Sequence, residues 1–421
     1  MEKELQQIVQ KVKEKIADPE VLKLFETAFL DTFNRTVSQQ EDGSVYMVTG
    51  DIPAMWLRDS SCQLRPILPF LKESPKLAHL VKGIIRRQLA FMAIDPYANA
   101  YTMAAQPERW DEDLPPQGPH VWEQKYEIDS LCFPFQLIYQ YWQTTADTSL
   151  FDASFVASVE QVVDLWIREQ DHETNSAYTF VRPASDYLSR EGKGSLTTYT
   201  GMTWSGFRPS DDPCQYHYLV PSNLFASHIL ARMLEMLAIC PLKQVALEEK
   251  IKELKGAIDQ GVDRYAKLAG PKGNYYAYEV DGLGNQLVMD DSNMPSLLSL
   301  PMLTAIPTDD PCYLATRQIV LSNENPYYYQ GTEAAGIGSP HTPAGYVWPI
   351  AIAVEGITAQ TSAEKWTKIQ LLTQTTGGTG QVHESFDPNQ PTRYTREWFS
   401  WANAMFCELV LDYCGYQVKV K

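Results

Sequence analysis

Two segments of the chain combine acidic residues with the kind of loop that could hold them over a substrate. The first, TWSGFRPSDDP (203–213), ends in the adjacent acids Asp211 and Asp212 and also carries Arg208. Two neighbouring carboxylates repel each other, so we expect one of them to have the raised pKa that a general acid near neutral pH requires. The alternative interpretation is an Asx-type turn in front of the next helix.

The second segment, GGTGQVHESFD (377–387), places His383 and Glu384 directly after a run of glycines. A carboxylate in such a loop can be directed at a water molecule and act as a general base. The alternative is an ordinary solvated loop acid. Glu397 follows nearby at the start of an amphipathic helix, where an acid is explained by the helix dipole alone. Glu384 is therefore the better candidate for a base.

A third segment, IPAMWLRDSS (52–61), brings Trp56, Arg58 and Asp59 within four residues of one another. An aromatic plane, a guanidinium donor and a carboxylate acceptor are the groups that bind a sugar ring and its hydroxyls. Asp59 could equally be a helix N-cap, which satisfies free backbone N–H groups. Both interpretations stay open at this point.

Three further loops carry polar residues that could contact a substrate: WEQKYEIDS (122–130), MDDSNMP (289–295) and GIGSPHTP (336–343). Glu127 is best explained as an acid at a helix start, whereas Asp129 is open to either interpretation. Asp291 could cap a helix or accept from a hydroxyl. His341 lies among glycines and prolines that fix a loop, so it is a candidate for binding.

Several common kinds of site are missing from the sequence. It contains no GxSxG nucleophile elbow, no HExxH zinc motif, no EF-hand loop and no glycine-rich phosphate loop. An oxygen site for calcium, built from the acidic pairs 211–212 and 290–291, is the weaker alternative. We expect neither a cofactor nor a metal.

The net charge of −17 disfavours nucleic acid and anionic membranes as partners. The seven cysteines include no CxxC pair, which indicates neither a disulfide framework nor a zinc knuckle and favours a reducing compartment. No apolar leader and no bilayer-length apolar run is visible, so we expect a cytoplasmic protein unless a leader has been removed. The sequence does not indicate an oligomeric state.

The elements that must position these loops are predominantly helical. Apolar residues recur at i, i+3, i+4 and i+7 in six segments, which begin at Leu5, Leu77, Leu131, Phe155, Leu247 and Trp398. The segment 346–354 is apolar on all sides, as expected of a fully buried helix. Strand signals are few: a hairpin over 275–289 and short strands at 45–48 and 177–181. Long loops at 96–124, 183–214, 322–345 and 376–396 are expected to be functional. About a dozen helices without a linker predict one all-α domain over 1–421, folded as a double-layered helical toroid.

Taken in order, seven motifs resemble glycoside hydrolase family 125, the exo-α-1,6-mannosidases, from about residue 20 to the C-terminus. The motifs are MWLRDSSCQ (55–63), YEIDSLC (126–132), GFRPSDDPC (206–214), MDDSNMPSLLSLP (289–301), GIGSPHTP (336–343), VHESFD (382–387) and REWFSWAN (396–403). The resemblance implies an (α/α)6 barrel with small β-hairpins in its loops and a metal-free reaction that inverts the anomeric configuration. It also implies a substrate with terminal non-reducing α-1,6-linked mannose, derived from N-glycans.

The resemblance further implies an Asp as general acid and a Glu as general base. Asp211 and Asp212 lie 173 and 172 residues before Glu384, so both fit the spacing; we carry the acid onto Asp211 and the base onto Glu384. An inverting pair stands roughly 6.5–9.5 Å apart, which leaves room for one water molecule. The residues expected to hold the sugar are Trp56, Arg58, Asp59, Asp129, Arg208, Asp212, Asp291, His341 and His383. The alternatives are another toroid glycosidase acting on α-glucosides, a calcium-dependent mannosidase, or a noncatalytic glycan-binding protein.

Overall fold

The computed structural model describes residues 1–105, 112–183, 188–271 and 273–419. Helices account for most of the regular structure in these ranges. They are α1 (Glu2–Lys13), α2 (Pro19–Thr36), α3 (Leu57–Cys62), α4 (Pro75–Ile94), α5 (Ile128–Thr145), α6 (Ala153–Glu169), α7 (His172–Asn175), α8 (Ser189–Gly192), α9 (Val220–Ile239), α10 (Val245–Gly261), α11 (Leu300–Leu303), α12 (Pro311–Val320), α13 (Pro349–Ile357), α14 (Ser362–Gln374) and α15 (Ser400–Tyr413). A 3-10 helix at Arg65–Phe70 and a π-helix at Val262–Ala266 complete this set.

Short strands pair locally and antiparallel, in sheets of two or three strands. They are β1 (Val37–Gln39), β2 (Val45–Met47), β3 (Met55–Trp56), β4 (Ala100–Tyr101), β5 (Val121–Glu123), β6 (Tyr218–Leu219), β7 (Lys267–Gly270), β8 (Gly273–Tyr276), β9 (Glu279–Val280), β10 (Gln286–Leu287), β11 (Tyr328–Gln330), β12 (Ala335–Ile337), β13 (Ser385–Asp387) and β14 (Gln390–Thr395). The sheets are β1-β2, β3-β4-β5, β10-β9-β6, β7-β8, β11-β12 and β13-β14.

Within the described ranges, the larger helices alternate between an inner and an outer layer. The inner elements are α3, α5, α9, α11, α13 and α15, and their residues are almost entirely buried. The outer elements are α2, α4, α6, α10, α12 and α14, and they bury one face only. Helix α15 packs against α2, α3 and α13, so the last inner helix returns to the first pair and closes the ring.

Sequence periodicity predicted only part of this layering. The stripes that begin at Leu77, Phe155 and Leu247 lie on outer helices, whereas those that begin at Leu131 and Trp398 lie largely on the inner helices α5 and α15. Outer α6 buries Phe155, Val159, Val162 and Trp166 on one face and ends in charged residues. Inner α13, Pro349–Ile357, is apolar and buried from Pro349 to Val354 and carries one acid, Glu355, near its end; the prediction of a buried helix there is confirmed. Among the described helices, none is both long and apolar enough to cross a lipid bilayer.

The strand predictions were less accurate. The predicted strand 45–48 is confirmed as β2, whereas 177–181 forms only a single bridge from Val181 to Leu114. The predicted hairpin over 275–289 is only partly correct. Residues 275–276 belong to β8, which pairs with the preceding strand β7, whereas β9 and β10 form the hairpin around 281–285. Parts of the predicted loops 96–124 and 183–214 lie outside the described residues.

Candidate active site

A cavity of about 400 Å³ lies where the chain enters the inner helices. Its wall takes residues from just before or at the start of α3, α5, α9, α11, α13 and α15. They include Trp56, Arg58, Asp59, Lys125, Asp211, Asn293, His341, Trp348, Glu384, Arg396 and Trp401. The N-termini of six inner elements therefore converge on this end of the ring, where helix dipoles favour negative charge.

The segment 203–213, here called the acid loop, is anchored to the core by its aromatic end. The Trp204 ring is fully buried between the rings of His172 and His217, at centroid distances of 3.7 and 4.6 Å. Arg208 is also buried, and its Nε donates to Glu279 at 2.6 Å. These side chains are support for the loop, and they leave its acidic end facing the cavity.

The acidic end of the loop is a tight turn. The backbone N–H of Asp211 donates to the carbonyl of Arg208, whose own N–H donates to the carbonyl of Asp212. Asp211 has a φ of 67°, in the left-handed region that Asp and Asn adopt more readily than most residues. Its Oδ1 accepts from Asn99 Nδ2 at 3.3 Å and lies 3.9 Å from Arg58. The turn thus presents the Asp211 carboxyl to the cavity.

Arg58 is the centre of a group of carboxyls, here called the Arg58 cluster. Its Nη1 donates to Glu127 at 2.6 Å and to Asp129 at 3.1 Å, and its Nε lies 3.5 Å from Asp59. Asp211 is the fourth carboxyl. The Arg58 side chain is 3% exposed, and those of Glu127 and Asp129 are fully buried. Four carboxyls around one guanidinium cannot all be ionised cheaply at low dielectric, so we expect a proton in the cluster.

The pKa shifts indicate which carboxyl holds this proton. Burial raises the pKa of Glu127 well above its ordinary value, and the charges of Asp129 and Asp211 add to it against the effect of Arg58. Burial also opposes the ionisation of Asp211, but the positive charges of Lys125, Arg58 and His341 and a hydrogen bond from Glu127 outweigh it and lower its pKa. These directions favour a neutral Glu127 and an ionised Asp211, so the proton of the cluster belongs to Glu127.

Asp212 has a different environment from its neighbour. Burial, opposed by His341 and reinforced by Asp291, raises the pKa of Asp212 to about 6. Its Oδ2 accepts from Ser210 Oγ at 2.8 Å, and the same hydroxyl contacts Asp291 Oδ2 at 2.8 Å. The raised pKa that the acidic pair predicted thus belongs to Asp212, whereas Asp211 is the member that lines the cavity.

The segment 377–387, here called the base loop, leads into β13. Glu384 lies directly before this strand, is 6% exposed and lines the cavity. Its Oε1 accepts from Arg396 Nη1 at 3.3 Å, and the same guanidinium donates to Asp51 and to the carbonyl of Thr49. Arg396 has a φ of 34°, so the backbone turns sharply at the residue that holds the Glu384 carboxylate.

Aromatic rings form the apolar part of the cavity wall: Trp56, Trp348, Phe399 and Trp401. Trp348 and Phe399 are in edge-to-face contact at 6.3 Å, and Trp348 Nε1 donates to Thr342 Oγ1 at 2.8 Å. A wall of aromatic planes beside charged groups suits a sugar ring, whose C–H faces are apolar and whose edges carry hydroxyls.

The remaining predicted residues lie in different places. Trp56, Arg58, Asp59 and His341 line the cavity together with Asp211 and Glu384, which makes six of the eleven predicted site residues. Five are not part of its wall: Asp129, Arg208, Asp212, Asp291 and His383.

His383 is bound away from the cavity. Its two ring nitrogens contact the carbonyls of Glu397 and Thr376 at 2.9 Å, and its ring stacks on Tyr394 at 3.8 Å. Asp291 is fully buried, accepts from Ser339 and Asn293 and lies 2.8 Å from the Ser210 hydroxyl. These two residues hold the base loop and the acid loop in place.

One structural alternative weighed from the sequence is wrong and another is incomplete. Asp59 is not an N-cap, since α3 begins two residues earlier; its carboxylate accepts from the Thr49 hydroxyl. Glu127 does lie at the start of α5, as predicted, but its side chain makes no capping hydrogen bond and is bonded to Arg58 instead. The partner of an ion pair 69 residues away cannot be read from helix-end patterns.

Sequence reasoning missed several residues of the wall, among them Lys125, Asn293, Arg396 and Trp401. Lys125 and Arg396 stand inside motifs that had been noticed, WEQKYEIDS and REWFSWAN. For Lys125 the available signal was a cation between Glu123 and Glu127 in a loop that precedes a buried helix, whereas Arg396 had no such signal.

Comparisons with known proteins show which family this chain resembles. The sequence pattern of the metal-independent α-mannosidases, GH125, matches residues 18–411. The chain belongs to this family. It is therefore a glycoside hydrolase and an α-mannosidase. The meiotically up-regulated gene 157 protein of Schizosaccharomyces pombe is 37% identical over 437 residues, which cover 97% of this chain and 85% of that protein.

Among solved structures, a metal-independent α-mannosidase from Streptococcus pneumoniae matches with a TM-score of 0.93 and 46% identity. The match covers 98% of this chain and 97% of that one. It was solved as a non-productive complex with α-1,6-mannobiose. The glucoamylase of Saccharomycopsis fibuligera matches with a TM-score of 0.59 at 12% identity, covering 98% and 96% of the two chains, which shows a shared fold alone. The predicted (α/α)6 barrel with small hairpins is confirmed.

Proposed function

We propose that this α-mannosidase is exo-acting and inverting, and that it removes terminal α-1,6-linked mannose with Asp211 as general acid and Glu384 as general base. One observation carries the proposal: two carboxyls 173 residues apart in sequence line the same cavity of a GH125 member. The relative from Streptococcus pneumoniae, which holds α-1,6-mannobiose, supports the choice of linkage. The link between that enzyme and the processing of N-linked glycans supports an N-glycan-derived oligosaccharide as substrate.

The contacts between the two carboxyls support a separation that admits water. Asp211 lies against Arg58, Arg58 against Asp59, and Asp59 accepts from the Thr49 hydroxyl. The carbonyl of Thr49 in turn accepts from Arg396, which also holds Glu384. The acid and the base are thus at opposite ends of a chain of contacts, and no hydrogen bond joins them among the described residues. An inverting glycosidase needs this arrangement, since its water stands between base and anomeric carbon.

In the proposed reaction, Glu384 takes a proton from a water molecule as the oxygen of that water bonds to the anomeric carbon of the terminal mannose. The bond from this carbon to the glycosidic oxygen breaks, and its electron pair goes to the leaving oxygen. Asp211 supplies the proton that the leaving oxygen needs. The product is β-mannose, since water enters on the face opposite to the leaving group.

Proton NMR of the hydrolysis of α-1,6-mannobiose tests the mechanism. We expect the β-anomer of mannose to appear first, with the α-anomer rising later by mutarotation. Initial α-mannose would exclude inversion. The same spectra measure the linkage preference when α-1,2- and α-1,3-mannobiose replace the substrate.

The adjacent acids provide a matched pair of variants for the general acid. Asp211→Asn should lower kcat on mannobiose by roughly 10²–10⁴-fold, the usual contribution of a general acid. Asp212→Asn removes an equal charge one residue away and should cost less than tenfold. The reverse ranking would assign the acid to Asp212, whose pKa is already raised to about 6.

We further propose that the enzyme acts in the cytoplasm. All seven cysteines are free thiols, and six of them are buried, which suits a reducing compartment. Fractionation of the source cells with an antibody against the protein tests this proposal. Recovery with secreted or membrane-enclosed proteins would contradict it.

A further inference from the structure

Glu127 is a buried acid that the proposed mechanism does not yet use. Its Oε2 accepts from Arg58 Nη1 at 2.6 Å and from Ser130 Oγ at 2.7 Å. Its Oε1 is buried as well and has no hydrogen-bond partner among the described residues apart from the Asp211 carboxyl. The group that interacts with it from the side of the cavity is the Asp211 carboxyl. A carboxyl with one oxygen fully bonded and the other beside the catalytic acid is arranged to carry a proton on that second oxygen.

The charged groups near Glu127 belong to three parts of the chain: helix α3, helix α5 and the acid loop. Arg58 and Asp59 belong to α3, Asp129 belongs to its own helix α5, and Asp211 belongs to the acid loop. Cys214, at the end of the same loop, is a buried thiol whose pKa is raised by burial and by the nearby acids, so it adds no charge.

Lys125 and His341 lower the pKa of Asp211, and neither is among the largest influences on the pKa of Glu127. The positive charges thus favour an ionised Asp211, while the buried acids on the other side favour a neutral Glu127. Because of this difference, Glu127 keeps a proton close to the catalytic acid, and Asp211 itself does not have to hold it.

We propose that Glu127 and Asp211 share one proton and that Glu127 passes it to Asp211 when Asp211 protonates the glycosidic oxygen. The inference rests on the proposed function, because it takes Asp211 to be the general acid. Glu127 is a positioning residue, since it touches Asp211 and not the substrate. The single shared proton moves from Glu127 Oε1 to the Asp211 carboxyl and on to the leaving oxygen, so both carboxyls of the pair are ionised at the end of the step.

The protons balance over one turnover. Glu127 ends as a carboxylate bonded to Arg58 and Ser130, and Glu384 ends with the proton taken from water. After product release Glu384 returns its proton to solvent, and Asp211 takes one up again for the pair. Asp211 can do this because its side chain is 23% exposed, whereas that of Glu127 is fully buried.

The variant Glu127→Gln separates proton supply from packing, since the amide keeps the shape and a hydrogen-bond donor but cannot release a proton. We expect kcat on α-1,6-mannobiose to fall roughly 10- to 100-fold, within the range of a proton-transfer contribution. Hydrolysis of 2,4-dinitrophenyl α-mannoside should change less than about twofold, because that leaving group needs no proton. An equal loss on both substrates would indicate a merely structural role and overturn the proposal.

The pH profile gives a second readout. In the wild type, removal of the last proton leaves two adjacent carboxylates, which is unfavourable, so activity persists to high pH. In Glu127→Gln the proton sits on Asp211 alone, where Lys125 and Arg58 favour its loss. The alkaline limb should therefore move to lower pH by on the order of one unit. An unchanged limb would overturn the proposal.

Two controls separate this idea from the proposed function. Glu408→Gln makes the same change at a buried glutamate that accepts from Arg65 and is not part of the cavity wall; both substrates should respond equally and the pH limb should stay in place. Asp211→Asn must show the leaving-group dependence itself. If it does not, the assignment of the acid fails; if it does and Glu127→Gln does not, only the shared proton fails.

Neutron diffraction of the wild-type enzyme tests the proposal even if Glu127→Gln does not fold. A deuteron between the Glu127 and Asp211 carboxyls, at a pH of full activity, is the expected result. Two carboxyls without a deuteron would overturn the shared proton.

Discussion

The two sides of the cavity hold their carboxyls in opposite ways. Asp211 belongs to a cluster in which four acids surround Arg58, three of them on α3 and α5 and almost fully buried. Glu384 has one ionic partner in the described structure, Arg396. It lies at the end of the base loop, directly before the short strand β13. The wall that carries Asp211 and the Arg58 cluster, here called the acid side, is arranged to retain a proton. The wall that carries Glu384 and Arg396, here called the base side, is arranged to direct a single carboxylate.

This difference follows from what each group must do. A general acid must keep its proton at a pH where a free carboxyl has lost it. Crowding of buried acids makes ionisation less favourable and so raises the pKa of the group that holds the proton. A general base needs only to be ionised and correctly placed, which one fork-shaped guanidinium achieves through its fixed geometry. The carboxyls on the two sides are therefore not interchangeable, although both are simple acids in the sequence.

The largest expected effect comes from removing each carboxyl and changing the leaving group. Glu384→Gln should lower kcat by roughly 10²–10⁴-fold on mannobiose and on 2,4-dinitrophenyl α-mannoside alike, because water must still be activated. Asp211→Asn should lose as much on mannobiose but recover most of its rate on the activated substrate. Steady-state kinetics of both variants on both substrates measures this split.

Glu397→Gln serves as the control for the base side. Glu397 is exposed and contacts the hydroxyl of Tyr394, so its loss should leave both rates within about twofold. Recovery of Glu384→Gln on the activated substrate would contradict the assignment of the base.

A smaller effect is expected at Arg396, which tests whether placement matters on the base side. Arg396→Met removes the donor to Glu384 and also releases Asp51 and the Thr49 carbonyl. A misplaced base should lower kcat up to roughly 100-fold, with a smaller change in KM. Arg396→Lys keeps the charge but not the fork and should recover only part of the loss. Full recovery by lysine would show that charge, not geometry, is what Glu384 requires.

The sequence predicted the loops that carry Asp211 and Glu384 better than it predicted the ion pairs that hold the acid side together. Local patterns predicted the loops on both sides, since glycine, proline and acidic residues mark loops and periodic apolar residues mark the helices that carry them. Asp211, Glu384 and the stretch from Trp56 to Asp59 were found in this way. The Arg58–Glu127 ion pair was not, because it joins residues 69 apart on different helices.

Burial inverted some expectations as well. His383 stands next to the base in sequence and looks like a binding residue, yet its ring nitrogens are both engaged by backbone carbonyls. The acidic pair 211–212 was expected to shift one pKa by mutual repulsion, whereas burial and Asp291 shift that of Asp212. Which neighbour faces a cavity depends on one backbone turn that residue types do not determine.

The pH dependence of stability should distinguish the two sides with a smaller effect. The folded state holds the proton of Asp212 up to about pH 6, whereas the unfolded chain releases it near 3.8. The folded state therefore binds more protons between these values, and the free energy of unfolding falls as pH rises through that window. The loss is on the order of 3 kcal/mol. Asp212→Asn should flatten this slope in urea titrations at several pH values, whereas Glu397→Gln should not.

The smallest expected effect is that of a chelator, which should leave the activity unchanged. The acid side is the only one with enough oxygens to suggest calcium among the described residues, yet its carboxylates are already bonded. Asp291 accepts from Asn293 and Ser339, and the Ser210 hydroxyl, which has one proton to donate, lies 2.8 Å from a carboxylate oxygen of Asp291 and of Asp212 alike. No group of three or more His, Cys, Asp or Glu side chains in the described ranges is arranged to hold an ion. Kinetics on mannobiose with and without excess chelator, followed by added calcium, measures this; loss of activity that calcium restores would mean that these acids bind a cation and would remove the shared proton from the acid side.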